Sequence, residues 1–250
     1  MDDMVPAGAV CGADGCEVPE TASATIAAET PSVGTRIDIV SDAICPWCYV
    51  GKWNLQAALA QLAQEGLTFD VHWNPFQLNP DMPKEGVERA SYRLWKFGNA
   101  DRVREIDARV TQAAAGAGLD FHLDRIQRTP NTIDAHRLIW FAGRNGVQDA
   151  VMEAVFHAYF VVGRDTGAHE VLADCAAKAG LDRDAAVSFL GSGLADAEMR
   201  AADQAAREAG VNGVPSFFLD GYGLFSGAMP AAQMADAFRR GHTILAQRAQ

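Results

Sequence analysis

The sequence predicts an α/β fold in which a long block of helices separates two shorter regions that contain strands. Those two regions, near residue 36 and near residues 215–226, show the alternation and β-branched residues that are typical of strands. The residues between them show apolar stripes at helical spacing instead. The chain of 250 residues is 49% hydrophobic and 21% charged, so it can bury a sizeable core.

The first strand-containing region is predicted to be a β–α–β unit. Residues 36–41 form its first strand and residues 68–73 its second. The helix between them is predicted to end at Gly66, because glycine readily adopts the backbone conformation that closes a helix. The apolar residues on one face of this helix are Leu55, Leu59 and Leu62.

Residues 85–207 show no convincing strand pattern, and successive helices are predicted there. The stretch 151–162 is apolar nearly all round, which predicts a helix buried on several sides. Asp182 is the predicted N-cap of a later helix. An alanine-rich helix over 195–209 closes the block.

Strands return in the last forty or so residues, as the β-branched and aromatic content indicates. Residues 215–220 and 224–226 flank Gly221-Tyr-Gly223, which predicts a hairpin with its turn at those three residues. A final helix is predicted to begin near Pro230.

Residues 1–34 differ from the rest of the chain in composition. They contain six acidic residues, no Lys or Arg and no aromatic residue, so they are predicted to form a flexible tail. The formal charge of the whole chain is −11, which argues against a general nucleic-acid binder. No apolar run approaches the roughly 20 residues of a membrane span. The acidic start is unlike a secretory signal, so we expect a cytoplasmic protein.

The strongest chemical signal is Cys45-Pro-Trp-Cys48, which follows the first strand and opens a helix. The free N–H groups and dipole of a helix N-terminus favour a thiolate, so Cys45 is expected to be the exposed, acidic thiol. Cys48 is expected to be shielded and to resolve a mixed disulfide. Pro46 fits the first helical turn, where its missing N–H costs little, and Trp47 adds an apolar surface beside the nucleophile.

Two other interpretations of this pair are open. A zinc half-site would need a second ligand pair, which only Cys11 and Cys16 could supply, and the histidines do not cluster; we therefore predict no metal site. A buried structural pair is less consistent with a strand-to-helix turn, which is an exposed place. Five cysteines are too few, and odd in number, for a disulfide scaffold.

A second signal is Gly213-Val-Pro-Ser-Phe217, directly before a predicted strand. A cis proline there would let Val214 present its backbone N–H and C=O to a partner chain. Cis bonds occur in only about 5–6% of X–Pro bonds, so the residues alone predict an ordinary trans turn at Pro215.

Three segments give the chain a family resemblance: IDIVSDAICPWCYVGK, NTIDAHRL, and GVNGVPSFFLDG followed by FSGAMP. Over roughly residues 35–248 it resembles the DsbA-like thioredoxin superfamily, in particular the FrnE-type cytoplasmic dithiol-disulfide oxidoreductases. The resemblance implies a thioredoxin fold interrupted by a large all-helical insertion. The implied parts are a tail at 1–34, the first part of the thioredoxin fold at 35–83, the insertion at 84–199 and the second part at 200–250.

The resemblance also implies roles for individual residues. Cys45 matches the family nucleophile, Cys48 the resolving cysteine and Pro215 the cis proline that faces them. Val214 matches the residue that contacts substrate, and a cis Val214–Pro215 bond becomes the expectation. Pro46 and Trp47 complete the expected substrate surface. The expected partners are a thiol- or disulfide-containing protein or small molecule and a cellular reductant, with no bound cofactor.

A sister group contains 2-hydroxychromene-2-carboxylate isomerases and kappa-class glutathione transferases. These share the helical insertion, typically carry serine at the position of Cys45 and use glutathione, which makes glutathione a candidate thiol partner here. The main prediction is a thiol-disulfide oxidoreductase or isomerase. The alternatives are a glutathione-dependent isomerase or transferase, and a redox-inactive chaperone or zinc-binding module.

Cysteines outside the Cys45–Cys48 pair raise separate questions. The motif Cys11-Gly-Ala-Asp-Gly-Cys16 departs from the family pattern and is open to three interpretations: an auxiliary redox pair, a transient zinc ligand pair or two incidental thiols. Cys175 falls on an apolar helix face and is predicted to be a core cysteine. His157 and Tyr159 are predicted to be packing residues.

Overall fold

The computed structural model describes residues 35–248, and every structural statement below concerns those residues. The tail predicted at 1–34, with Cys11 and Cys16, lies outside them. The strands are β1 (Thr35–Ser41), β2 (Phe69–Pro75), β3 (Val87–Glu88), β4 (Arg128–Thr129), β5 (Ser216–Leu219) and β6 (Tyr222–Ser226). The helices are α1 (Pro46–Gln64), α2 (Arg89–Phe97), α3 (Ala100–Gly116), α4 (Ile133–Arg144), α5 (Gln148–His157), α6 (His169–Lys178), α7 (Arg183–Gly191), α8 (Asp196–Glu208) and α9 (Ala231–Arg248).

The main sheet is mixed and has the strand order β2-β1-β5-β6. Strand β1 runs parallel to β2 and antiparallel to β5, and β6 pairs antiparallel with β5. Helix α1 is the crossover between the parallel strands, as such a connection requires. The helical block falls between β2 and β5, so the predicted α/β fold with an inserted helical block is confirmed.

One apolar core extends from the sheet into the helical block, because helices of the block bury their apolar faces against the same cluster as α1 and the sheet. Helix α1 packs along α9, while α4, α5 and α8 contact β2. Members of the shared cluster include Ile37, Ile39, Leu55, Leu62, Trp73, Leu138, Phe156, Phe160, Leu172, Phe217 and Phe238.

Two short strands lie in the region for which the sequence predicts none. Strands β3 and β4 pair antiparallel, with Val87 opposite Thr129 and Glu88 opposite Arg128. Each has two residues, too few to show an alternating pattern, so the prediction of a strand-free block is wrong at this point.

The apolar stretch 151–162 is not one regular helix. Helix α5 ends at His157, and a π-helical turn follows at Ala158–Val162. The hydroxyl of Tyr159, which lies in this turn, donates to the carbonyl of Arg128 at 3.1 Å. Periodicity does not reveal the irregular turn, because nearly every position of the stretch is apolar.

The hairpin turn also differs from its prediction. Strand β6 already begins at Tyr222, and the turn consists of Asp220 and Gly221, whose φ angles are 46° and 81°. Two positive φ values are the requirement of the tight hairpin turn that matches strand twist. The Asp220 carboxylate accepts the Arg36 N–H at 2.8 Å, which ties the turn to β1.

Two smaller predictions are confirmed. Asp182 caps α7 by accepting the N–H of Ala185 at 2.7 Å. The last helix begins at Ala231 and buries Met234 and Phe238. Among residues 35–248, no helix is both long and apolar enough to cross a membrane.

Candidate active site

Cys45 is the N-cap residue of α1, between the end of β1 and the first helical turn. Its own N–H donates to the carbonyl of Asp42 at 3.0 Å, and its carbonyl accepts the N–H of Cys48 at 3.0 Å. Pro46 occupies the first helical position, where no intrahelical N–H is needed. The helix dipole therefore points its positive end at the Cys45 sulfur.

The Cys45 side chain is only 4% exposed, so the prediction of an exposed thiol is wrong. Its Sγ donates to the carbonyl oxygen of Val214 at 3.6 Å. The loop before β5 thus packs against the sulfur, and this contact spans 169 residues of sequence. Trp47 is the exposed member of the Cys45–Cys48 segment.

Cys48 lies one helical turn further along and is completely buried, as predicted. Burial raises the pKa of the Cys48 thiol well above its usual range, and the neighbouring Cys45 raises it further. The Ser41 hydroxyl and the Asp42 backbone oppose this rise in pKa through hydrogen bonding. At neutral pH, Cys48 is therefore a thiol that must lose its proton before it can attack.

The Val214–Pro215 peptide bond is cis, as the family resemblance implies. Hydrogen bonds hold the loop on both sides of this bond. The Ser216 hydroxyl donates to the carbonyl of Gly213 at 2.8 Å, and the carbonyl of Pro215 accepts the N–H of Gly227 at 2.8 Å.

Gly51 sets how closely α1 approaches this loop. A Cβ at Gly51 would lie 3.0 Å from Pro215 Cγ and 3.6 Å from the ring of Phe217. Any larger side chain would therefore have to move Pro215, whose neighbour Val214 contacts the Cys45 sulfur.

We expect the substitution Gly51→Ala to slow disulfide exchange at Cys45 by about tenfold, because small misplacements of reacting groups cost large factors in rate. It should also lower the free energy of unfolding by about 1–2 kcal/mol through overpacking. Stopped-flow exchange kinetics and urea unfolding measure the two effects. The matched control is Gly116→Ala at the end of α3, where a Cβ would meet nothing within 4 Å. Wild-type kinetics for Gly51→Ala would contradict the positioning role.

A buried lysine joins α1 to α5. The Lys52 ammonium lies 3.0 Å from Asp149 Oδ2 and 3.1 Å from Glu153 Oε2. The hydroxyl of Tyr49 donates to Glu153 at 2.6 Å; burial raises the pKa of Tyr49, and the bond to Glu153 adds to that rise. Because Lys52 is four residues after Cys48, this ion-pair cluster fixes the same helix face that carries the second cysteine.

Asp42 and His136 form a buried pair next to the candidate site, and neither is among the predicted site residues. Asp42 contacts Cys45 through its backbone carbonyl, which accepts the Cys45 N–H at 3.0 Å. Both side chains are buried, and Asp42 Oδ1 lies 3.4 Å from His136 Nε2. Both residues fall inside the segments that carry the family resemblance. A search for isolated charged residues next to predicted buried strands and helices could have found Asp42, whereas His136 is brought there only by the fold.

Of the remaining predicted residues, three lie in the described part of the chain and two lie outside it. Cys175 is buried in the core, as predicted, and burial raises its pKa to about 11. His157 is half-buried, and Tyr159 is buried with a hydrogen bond from its hydroxyl. The interpretations of Cys11 and Cys16 stay predictions, since both residues lie outside the described range.

The chain matches one protein family over most of its length and is similar to several solved structures. Residues 36–239 match the family described as the DSBA-like thioredoxin domain. A solved structure described as a probable DsbA oxidoreductase, SCO1869 from Streptomyces coelicolor, is 31% identical. It superimposes with a TM-score of 0.74 over 82% of this chain and 89% of that chain.

Two other solved structures share the fold at lower identity. A 2-hydroxychromene-2-carboxylate isomerase is 20% identical, with a TM-score of 0.63 over 86% of this chain and 100% of that chain. The cytosolic disulfide reductase DsbM from Pseudomonas aeruginosa is 19% identical, with a TM-score of 0.59 over 84% of this chain and 99% of that chain. A further DsbM structure was determined with GSH. These two structures show the shared fold, and the family match over residues 36–239 confirms the superfamily resemblance inferred from the sequence.

Proposed function

The chain belongs to the DSBA-like thioredoxin domain family, and from that premise we propose that it is a thiol-disulfide oxidoreductase whose dithiol is Cys45 and Cys48. The observation that supports this most directly is the position of the two thiols. Cys45 lies at the N-cap of α1 against the Val214 carbonyl, and Cys48 lies buried one turn behind it. A helix N-terminus stabilises the thiolate that such chemistry needs.

In the reductive direction, the Cys45 thiolate attacks one sulfur of a substrate disulfide. The substrate S–S bond breaks, its other sulfur leaves as a thiolate, and a mixed disulfide forms on Cys45. Cys48 then attacks the Cys45 sulfur and releases the remaining substrate thiol. The substrate gains two electrons and the enzyme loses two in forming the Cys45–Cys48 disulfide; the oxidative reaction is the reverse.

The substrate would contact the enzyme around Val214, Pro215, Pro46 and Trp47. Trp47 offers exposed apolar surface beside the nucleophile. Because Cys45 is only 4% exposed and its sulfur contacts the Val214 carbonyl, the substrate disulfide has only a narrow approach to that sulfur. That narrow approach favours exposed, extended disulfides and small disulfides over those buried in folded proteins.

We propose glutathione as the thiol that resets the dithiol and the cytoplasm as the compartment. DsbM, which shares the fold, is described as a cytosolic disulfide reductase and has been determined with GSH. A reducing compartment keeps Cys45 and Cys48 as thiols between turnovers, which suits the reductive direction. The assignment to the FrnE-type branch stays a prediction.

The identity of the adduct on Cys45 tests this function. A Cys48→Ala protein isolated from cells should carry a mixed disulfide on Cys45, visible by intact-mass analysis and lost on reduction. Cys175 is the internal control: with a pKa of about 11 it stays a buried thiol at neutral pH and should carry no adduct. A Cys48→Ala protein without any adduct on Cys45 would contradict the proposal.

A cavity supports the glutathione-dependent isomerase as a second candidate function. Its volume is about 590 Å³, and it lies between the segment after β2 and helix α2. Its lining is mostly apolar and includes Leu78, Met82, Val87, Tyr92 and Trp95. An aromatic small molecule would fit such a cavity, whereas the presence of both cysteines favours the dithiol reaction.

A further inference from the structure

A side chain of α1 holds the loop that connects β6 to α9. The carboxamide of Asn54 donates to the carbonyl of Met229 at 2.7 Å, across 175 residues of sequence. Met229 lies outside every helix and strand, so its carbonyl depends on a side chain for this bond. Asn54 is not among the residues that the sequence predicts for the site, and the mechanism above does not use it.

Backbone hydrogen bonds continue from this loop to the loop before β5. The N–H of Met229 donates to the carbonyl of Gly227 at 3.1 Å. The N–H of Gly227 in turn donates to the carbonyl of Pro215 at 2.8 Å. The bond made by Asn54 therefore fixes a loop that is itself bonded to the proline loop of the candidate site.

The series of contacts closes at the nucleophile. Val214 precedes Pro215, and its carbonyl accepts the S–H of Cys45 at 3.6 Å. Cys45 is the N-cap of α1 and Asn54 lies within the same helix, so the closed series begins and ends on one rigid element. A displacement at Asn54 is thereby transmitted to the Cys45 sulfur through the two loops.

We propose that Asn54 is a positioning residue for thiol-disulfide exchange, an inference that rests on the proposed function. Its carboxamide holds the loop after β6. That loop holds the Val214–Pro215 segment at the distance from Cys45 at which the substrate disulfide is received. Because Asn54 acts through Met229, it is not a catalytic residue.

Two other contacts hold the proline loop, and they differ from the Asn54 contact in kind. The Ser216 hydroxyl lies 2.7 Å from the Ser226 hydroxyl, which ties the loop to β6. Gly51 limits how closely α1 and Pro215 approach but supplies no directional bond. Asn54 supplies a directional bond between the loops and the helix that carries both cysteines.

Loss of the Asn54 bond should affect two kinds of reagent in opposite directions. A peptide disulfide uses the Val214–Pro215 loop as part of its binding surface, so a misplaced loop slows its reaction with Cys45. A small alkylating reagent needs only access to the sulfur, and Cys45 is 4% exposed while the loop covers it. Release of the loop therefore speeds alkylation and slows exchange.

The test compares Asn54→Leu with the matched control Asn145→Leu. Leucine keeps the size and branching of asparagine and adds no charge, but it has no N–H to donate. Asn145 makes the same kind of bond at the end of α4, from its carboxamide to the carbonyl of Phe141 at 2.8 Å. Both substitutions remove one such bond, and only the first breaks the closed series of contacts.

Reduced full-length protein carrying Cys11→Ser and Cys16→Ser is the parent for the measurements. In Asn54→Leu, Cys45 should attack a peptide disulfide about tenfold more slowly at pH 7. Iodoacetamide should alkylate Cys45 about threefold faster, because the contact with the Val214 carbonyl is lost. Asn145→Leu should stay within about twofold of the parent in both assays. If Asn54→Leu fails to fold, Asn54→Ala, which only shortens the side chain, carries the same test.

The equilibrium with glutathione gives a readout that a general loss of stability would not change. In the reduced protein the Cys45 thiol donates to Val214, whereas a disulfide sulfur has no hydrogen to donate. Asn54→Leu should therefore shift this equilibrium toward the Cys45–Cys48 disulfide by about threefold. Cys175 reports unfolding, since this core thiol is labelled by iodoacetamide only when the protein opens.

Three results would overturn the inference: parent-like exchange, alkylation and equilibrium in Asn54→Leu, equal changes in Asn54→Leu and Asn145→Leu, or labelling of Cys175 as fast as that of Cys45. Failure of the proposed function looks different. In that case the parent protein itself would not attack the peptide disulfide and would form no Cys45–Cys48 disulfide with oxidised glutathione.

Discussion

Replacing Cys45 by serine should lower thiol-disulfide turnover at least about a thousandfold, because the serine hydroxyl cannot form the mixed disulfide. Residues that act as one unit lose activity together, so Cys45→Ser and the double variant Cys45→Ser/Cys48→Ser should be equally inactive. The measurement is turnover of a peptide disulfide with glutathione as the reductant. Residual activity well above background in Cys45→Ser would assign the nucleophile elsewhere.

The variant Cys48→Ser separates the three candidate functions. An oxidoreductase keeps a rapid first attack but loses turnover, because without Cys48 only an external thiol can resolve the mixed disulfide on Cys45. A glutathione-dependent isomerase keeps its activity in Cys48→Ser and requires glutathione. A redox-inactive chaperone keeps its activity in both single variants. Gly116→Ala serves again as the control, since a Cβ at that position would meet nothing within 4 Å.

The double substitution Asp149→Asn/Glu153→Gln should lower the free energy of unfolding by about 3 kcal/mol. The Lys52 side chain has 0% exposure, so removing both carboxylates leaves a buried ammonium without an opposite charge. The figure lies at the lower end for such changes, because the new amide oxygens still accept hydrogen bonds from the ammonium. Urea unfolding should show a lower midpoint with an unchanged slope.

The substitution Lys52→Met is the control for this prediction. It removes the buried charge and largely keeps the side-chain volume, while Asp149 and Glu153 are 50% and 31% exposed and can be hydrated. It should therefore cost only about 1 kcal/mol. A greater loss of stability in Lys52→Met than in the double variant would contradict the view that the two carboxylates stabilise the fold by compensating the buried charge of Lys52.

Local patterns predicted the parts of the fold that local forces control. The alternation of residues 36–41 and the helical spacing after Cys48 correspond to β1 and α1. The two-residue strands β3 and β4 and the π-helical turn escaped prediction, because pairing or packing with distant segments creates them. The hairpin turn consists of Asp220 and Gly221 instead of residues 221–223, and Asp220 contacts Arg36 on β1.

The candidate site shows the same division. The dithiol and its helix N-terminus could be found from a few adjacent residues, since strand, turn and helix follow directly in the chain. The residue-level argument favoured a trans Pro215, and only the family resemblance pointed to the cis bond that the structure has. The burial of Cys45 was missed because the loop that covers it arrives from far along the chain.

By itself, the sequence determined that a strand, a Cys-Pro-Trp-Cys turn and a helix succeed one another, because periodicity and helix-end chemistry act over a few residues. Only the tertiary structure decided that the Val214 carbonyl contacts the Cys45 sulfur across 169 residues and that Asp42 lies beside His136. It also decided that Lys52 is buried between two carboxylates of α5. Such contacts depend on how segments that are distant in sequence pack on one shared core. Residue patterns over a few positions do not determine that packing.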